Sequence, residues 1–294
     1  MSWATRVRNI RAGAERRFPV LTELTARLVS GNLLDAATRL AAQAFLAAVP
    51  LLFALAAFAP SGVRHQMLES LRAIFGLTGA SDEQLQQVLN GNNNKDDALR
   101  ETTGVVGALV ALVSATSFSR AMARVCERAW RLPKAGTRIG AWRWTVWLLA
   151  LVIVVLFQAP LRDGFGAGAW LGLPLYFLVS TGVWLWTQHL LLAKRIRWLP
   201  LLPGALLAGT ATSVLGFTAR LYMPGALDRA LAEYGSLGMV LTMLSWLIVV
   251  CAALTFAVTI GAVLAQEPPL DRYLGTDRPD GRSGANRDSP TPSR

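Results

Sequence analysis

The side chains of this sequence that are able to do chemistry are few and dispersed. There are two histidines, His65 and His189, and two cysteines, Cys126 and Cys251, with no spacing that lets one helix or turn gather them on a metal ion. Metal-dependent cleavage of a phosphodiester needs clustered Asp, Glu or His, so that ions stabilise the attacking and leaving oxygens. The carboxylates instead fall into one loop-like group, Asp82, Glu83, Asp96 and Asp97, and a scattered set, Glu15, Glu23, Asp35 and Glu127. H-E-x-x-H, G-x-S-x-G and phosphate-loop patterns are absent. The residues therefore predict no catalytic centre, no metal and no cofactor, and the chain reads as a non-enzyme.

What remains is polar chemistry set inside apolar runs. Gln43, Gln158, Gln188, His189, Thr212 and Arg220 interrupt or end such runs. In hydrocarbon a polar group is costly, so it marks either a substrate path or a hydrogen bond between helices. Gln43, Gln158, Thr212 and Arg220 are the candidates for a substrate pathway. Arg220 continues the small-residue row Gly204, Ala208, Thr212 and Gly216, which predicts that it points into the bundle as a site for an anionic ligand. Near a helix end it is also able to snorkel to water. Gln188-His189 reads as a solvated pair at the membrane interface. A second chemistry lies in Arg120, Arg124, Arg128 and Arg131, which recur at helical spacing opposite Phe118, Met122, Val125 and Ala129. That pattern suits a helix on anionic lipid headgroups, the alternative being charge that only sets topology.

The elements that must position these groups are apolar helices. The chain is 53% hydrophobic and 16% charged, against about 25% charged for a typical soluble domain. Residues 236–265 contain no charged side chain. At about 1.5 Å per residue such a helix outruns a hydrocarbon core of ~30 Å and spans with tilt. Six spans are predicted, at about residues 40–59, 103–118, 144–161, 167–192, 199–219 and 236–265, giving an all-α polytopic membrane protein with amphipathic interfacial helices. Pro50, Pro174 and Pro203 interrupt the first, fourth and fifth. Gly204, Ala208, Gly216 and Gly261 read as close-packing positions, and Gly235 and Gly238 bracket the turn that opens the last span. Residues 1–38 form a basic amphipathic N-terminal segment. Residues 60–102 form an external loop holding a short amphipathic helix (Val63, Met67, Leu71, Ile74, Phe75) and a capping box at Ser81-Asp82-Glu83-Gln84. Residues 222–233 read as a loop, and 268–294 as a disordered tail.

Net charge is +11, and its placement assigns sidedness. Segments 1–39, 119–143, 193–198 and 268–294 carry 22 of the 29 Lys and Arg residues, and the alternating segments carry 7. The positive-inside rule then places both termini in the cytoplasm. It also places the two histidines on opposite sides of the membrane. Trp142, Trp144, Trp184, Trp186 and Trp198 fall near cytoplasmic ends, as an aromatic belt does. The basic balance is thus spent on topology and anionic headgroups, with membrane lipids as partners and no nucleic acid. No internal repeat is evident.

Four stretches resemble the YihY/BrkB family of bacterial inner-membrane proteins. They are residues 39–58 with Ala44-Phe45 and Pro50, residues 118–133 with Cys126-Glu127-Arg128-Ala129-Trp130, the run Leu202-Pro203-Gly204-Ala205-Leu206-Leu207-Ala208, and Tyr234-Gly235-Ser236-Leu237-Gly238 with the span after it. Together they cover about residues 30–267. One departure stands out. The family often carries an acidic residue near the end of its last span, where this sequence has Gly261-Ala262-Val263-Leu264; the role of that carboxylate is absent here or taken by Glu267. The resemblance implies a six-span inner-membrane protein linked to envelope integrity, with transport or export of a lipid-like or anionic amphipathic molecule as its expected role. It also brings a ribonuclease label, which the dispersed carboxylates argue against. The rival expectation is a non-transporting membrane scaffold. A transporter has a water-reachable cavity lined by Gln43, Gln158 or Arg220; a scaffold is packed solid there.

Overall fold

A computed structural model of the chain describes residues 33–58, 60–76, 79, 82, 83, 86, 97–133, parts of 146–157, and 169–266. Expectations for the N-terminal amphipathic segment, most of the third span, Gln158, Ser81 and the C-terminal tail lie outside these residues. Five helices order the described chain, and among the described residues there is no strand: α1 (Leu33–Phe58), α2 (Ser61–Phe75), α3 (Asp97–Ala129), α4 (Ala169–Leu191) and α5 (Trp198–Gln266).

The first helix begins seven residues before the apolar run at residue 40, with Asp35 in its first turn paired to Arg39 at 3.0 Å. Its small face of Ala36, Ala37, Leu40 and Ala41 is buried, and α3 is its main neighbour. The expected short second span and the basic helix after it are one continuous helix, α3, which at about 1.5 Å per residue is about 50 Å long. What changes along it is the exposed face: Val106, Leu109, Val110 and Val113 first, then Arg120, Arg124 and Arg128. The helix ends in a left-handed residue, Arg131 (φ 52°), with the Leu132 N–H donating to the Glu127 carbonyl at 2.9 Å.

The largest element is a hairpin. α5 runs through residues 198–234, reverses at Gly235 (φ 63°, ψ −149°), and returns through residues 236–266. Only glycine adopts that conformation without strain. The expected loop at 222–233 is therefore helix: Met223 and Leu227 are fully buried against Met239, Met243 and Trp246, which extends the hydrophobic seam past the end of the predicted span. The legs touch along their length. A Cβ on Gly238 would overlap the Ala230 carbonyl, Ala208 packs with Leu254 and Ala257, and a Cβ on Gly261 would overlap the backbone of Gly204. At this base the turn between α4 and α5 is closed by His189, whose ring stacks on Trp198 at 4.0 Å between centroids, with Nδ1 3.1 Å from the Ile196 carbonyl. Arg195 donates to the Pro133 carbonyl at 2.9 Å, so the ends of α3 and α4 lie together, and the basic residues of both gather at one end of the bundle.

The short amphipathic helix expected in loop 60–102 is α2. It stops at Gly76 (φ 64°), whose N–H donates to the Arg72 carbonyl at 2.7 Å. A Cβ there would stand 2.9 Å from the Arg220 carbonyl, so α2 seats on the outer part of α5 with Phe75 against Ala219, Met223 and Leu227. Asp82 is tied down: Arg72 Nε and Nη2 donate to its two oxygens at 2.7 and 2.8 Å, and Arg72 Nη1 donates to Glu69 at 2.8 Å. The Arg72 guanidinium, helped by Gln86, holds the Asp82 carboxyl below the usual carboxylate range.

Candidate functional site

Of the sequence-predicted pathway residues, Gln43, Thr212 and Arg220 are among the described residues, and the three do not line a common cleft. Gln43, on α1, is half-buried and its Oε1 is shielded from solvent with no hydrogen-bond partner among the described residues. Thr212 is used structurally: its hydroxyl donates to the Ala208 carbonyl at 2.8 Å and accepts from the Trp184 indole N–H at 2.9 Å. The Arg220 side chain is exposed rather than turned into the bundle. The reason is helical geometry. Residues four apart advance about 40° around a helix of 3.6 residues per turn, so a row of four such steps rotates by about 160°. Gly204 and Ala208 are buried, Thr212 and Gly216 are half-buried, and Arg220 has passed to the outside.

The close-packing positions divide by height. At the base of the hairpin, Gly204 is wedged between Gly261 and Gln188, with a Cβ on Gly204 falling 2.8 Å from Gln188 Oε1. Gln188 is 1% exposed and its Nε2 has no partner among the described residues, so it is a buried amide and not the solvated interfacial residue expected. Its burial follows from the glycine opposite, which admits a long side chain where any other residue would exclude it. Thr187 beside it accepts from the Trp147 indole at 3.1 Å. This half of the bundle is closely packed.

Away from the base the packing opens. A cleft of ≈ 210 Å³ lies between α4, both legs of α5 and α2, lined by Tyr176, Thr212, Gly216, Trp246 and Val250 and roofed by Ile74 and Phe75. A larger one of ≈ 450 Å³ runs along the other side of the hairpin, from Val249 past Trp246 and Tyr222 to Tyr234. Neither is lined by Gln43 or Arg220. Trp246 is the wall between them. Sequence reading missed Trp246, and the place of Phe75 in a cleft, because it searched for polar groups in spans, whereas these clefts are apolar; an aromatic residue about 20 positions from the cytoplasmic end of the last span was the available signal.

The arginine face is as the spacing predicts. Arg120, Arg124, Arg128 and Arg131 are all exposed, while Ala121, Met122, Val125, Cys126 and Ala129 are buried behind them. The Arg120 guanidinium also donates to the Thr116 carbonyl at 3.1 Å. Among the described residues no group of three His, Cys, Asp or Glu is placed to hold a metal ion.

A family model described as virulence factor BrkB matches residues 24–279 of the chain. No curated protein and no solved structure matches it.

Proposed function

We propose, from the premise that the chain belongs to the BrkB family and is a membrane protein, that it moves or handles a lipid-like or anionic amphipathic molecule across a bacterial inner membrane. Six spans cross that membrane, with both termini in the cytoplasm. The observation that carries the reading is the contrast along the hairpin: packed backbone to backbone at Gly204 and Gly261, open and apolar around Thr212, Gly216 and Trp246. Supporting it, α4 and α5 are long and apolar enough to cross a bilayer. The arginines of α3 and the turn Lys194-Arg195-Ile196-Arg197 gather at one end, as a cytoplasmic face requires. That face attracts anionic headgroups, at about 1 kcal/mol for each basic residue near the surface.

A cleft with apolar walls suits an acyl chain better than an ion or a sugar, because burying polar groups without partners is costly. Arg220 then serves as an anchor at the outer interface. The scaffold reading is favoured by different observations: neither cleft is lined by Gln43 or Arg220, and the base of the bundle is closed, with Gln188 filling the space beside Gly204. The two separate in liposomes carrying a fluorescent lipid. Wild-type protein and Arg220→Ala both translocate lipid above protein-free vesicles, whereas Gly216→Trp, which fills the cleft, does not. Equal signals from wild type and empty vesicles, with anionic and neutral lipids alike, leave the scaffold.

A further inference from the structure

The hairpin is longer than a membrane is thick. Its legs have 37 and 31 residues on either side of Gly235, which at about 1.5 Å per residue is about 55 and 46 Å, against a hydrocarbon core of ~30 Å. The base cannot sink inward, because Lys194, Arg195 and Arg197 sit in the turn that precedes it. The far edge of the hydrocarbon therefore falls about 20 residues up each leg, near residue 218 on the first and Trp246 on the second. Some 15 to 25 Å of hairpin stands beyond it.

The larger cleft straddles that edge. Its lower end, Val249, lies within the hydrocarbon; Trp246 and Tyr222 sit at the boundary, where amphipathic rings are favoured; Leu241 and Tyr234 lie past it. Leu241 is 53% exposed and Tyr234 69%, an apolar strip that water alone does not stabilise. Of the four hydroxyl-bearing residues in the wall, Thr242 donates to the Gly238 carbonyl and Ser245 to the Leu241 carbonyl, each at 2.9 Å, while Tyr222 and Tyr234 are exposed. Apart from the two tyrosines, the lining thus presents little directional hydrogen bonding to a ligand. Its volume of ≈ 450 Å³ falls in the range of about 300–1,000 Å³ typical of small-ligand sites.

We propose that this cleft is a docking groove for one acyl chain of a bilayer lipid, entered from the leaflet on the side of the hairpin tip and leading the chain beyond the membrane surface. The occupant follows from continuity: a groove whose floor opens into hydrocarbon meets acyl chains before any other apolar molecule. The inference rests on the bilayer placement proposed above but not on translocation.

The test uses the full chain in liposomes containing a phospholipid with a photoreactive diazirine at the end of one acyl chain, with adducts mapped by peptide mass spectrometry. Adducts are expected within residues 234–245, beyond the reach of a chain that stays in its leaflet. Leu241→Asp, which places a charge in the groove, is expected to reduce them at least fivefold, and Leu241→Trp, which fills it without charge, to do the same. Leu237→Asp, about one turn nearer the tip and outside the lining, leaves them unchanged. Adducts confined to spans below Trp246, or equal in the Leu241 variants and wild type, overturn the proposal. So does disulfide-linked dimer as the dominant product of Leu241→Cys, which would make a second copy of the chain the occupant. Groove adducts without lipid translocation sink the transport reading alone; translocation without groove adducts sinks the groove alone.

Discussion

Replacing Gly261 with alanine adds one methyl group at the point where the two legs of the hairpin touch. That methyl would overlap the Cα and N of Gly204 and stand 3.0 Å from the carbonyl carbon of Pro203. These are backbone atoms on a helix that is itself wedged against Gln188, so no side chain is free to swing away. Overpacking of this kind costs about 1–3 kcal/mol. Against it stands the gain of about 0.5–1 kcal/mol that alanine brings over glycine inside a helix. Gly182 on α4 isolates that second term, since a Cβ there meets nothing within 4 Å among the described residues. Gly182→Ala is thus expected to be neutral or slightly stabilising, and Gly261→Ala to lie below it by the whole overpacking cost. At about 2–4 °C per kcal/mol for a chain of this size, the two variants should differ in Tm by roughly 5 °C in detergent or nanodisc melts. Equal Tm values for the two would refute the reasoning, because they would mean that the legs do not meet backbone to backbone at Gly204.

Other consequences are accessible to the same preparations. Gly235→Ala forces a side chain onto φ 63°, ψ −149°, at about 1–3 kcal/mol; it should lower Tm although its Cβ meets open space. Asp82→Asn removes the paired acceptor from Arg72, a loss of about 1–2 kcal/mol for a partly exposed charge-assisted pair, and should raise hydrogen exchange across residues 61–76. Because the native Asp82 carboxyl is held below its ordinary value, its contribution is full above about pH 5 and is lost as pH falls through the lowered native value; the protection factors across residues 61–76, corrected for the intrinsic pH dependence of exchange, should hold from about pH 7 to about pH 5 and fall on further acidification. Thr212→Val leaves the Trp184 indole N–H without its acceptor and should lower Tm by a few degrees, from a loss of about 1–2 kcal/mol.

Much of the architecture was legible because apolar runs bounded by charge leave few alternatives to spanning helices. The turn at Gly235 and the amphipathic helix at Ser61–Phe75 stand where spacing placed them. The loop expected at 222–233 failed because Arg220, Asp228, Arg229 and Glu233 end the apolar run without ending the helix; packing on the returning leg keeps it helical where composition alone suggests otherwise. The second span runs on into the basic helix as one element, since a helix is able to continue while its exposed face changes from valine to arginine. Arg220 shows a further limit. A row of small residues at steps of four looks like one face in sequence, but over 16 residues it turns almost half-way round the helix. Gln188 was misplaced because its burial depends on the absence of a side chain at Gly204, a pairing between α4 and α5 that no local pattern reveals. The clefts at Trp246 were invisible for a related reason, since empty space between helices leaves no mark on either helix alone.

The placement of the α5 hairpin in the bilayer underlies both functional proposals, and thiol labelling tests it most directly. Cys126 and Cys251 are both buried, so single cysteines introduced at Leu237, near the tip, and at Lys194, in the basic turn, report their own surroundings. With an impermeant maleimide on intact cells, the account predicts rapid labelling at position 237 and labelling at position 194 only after the membrane is opened. Labelling of both positions from the same side would contradict it, for the hairpin would then not cross the membrane, and neither the lipid path nor the acyl groove would have a bilayer to open into.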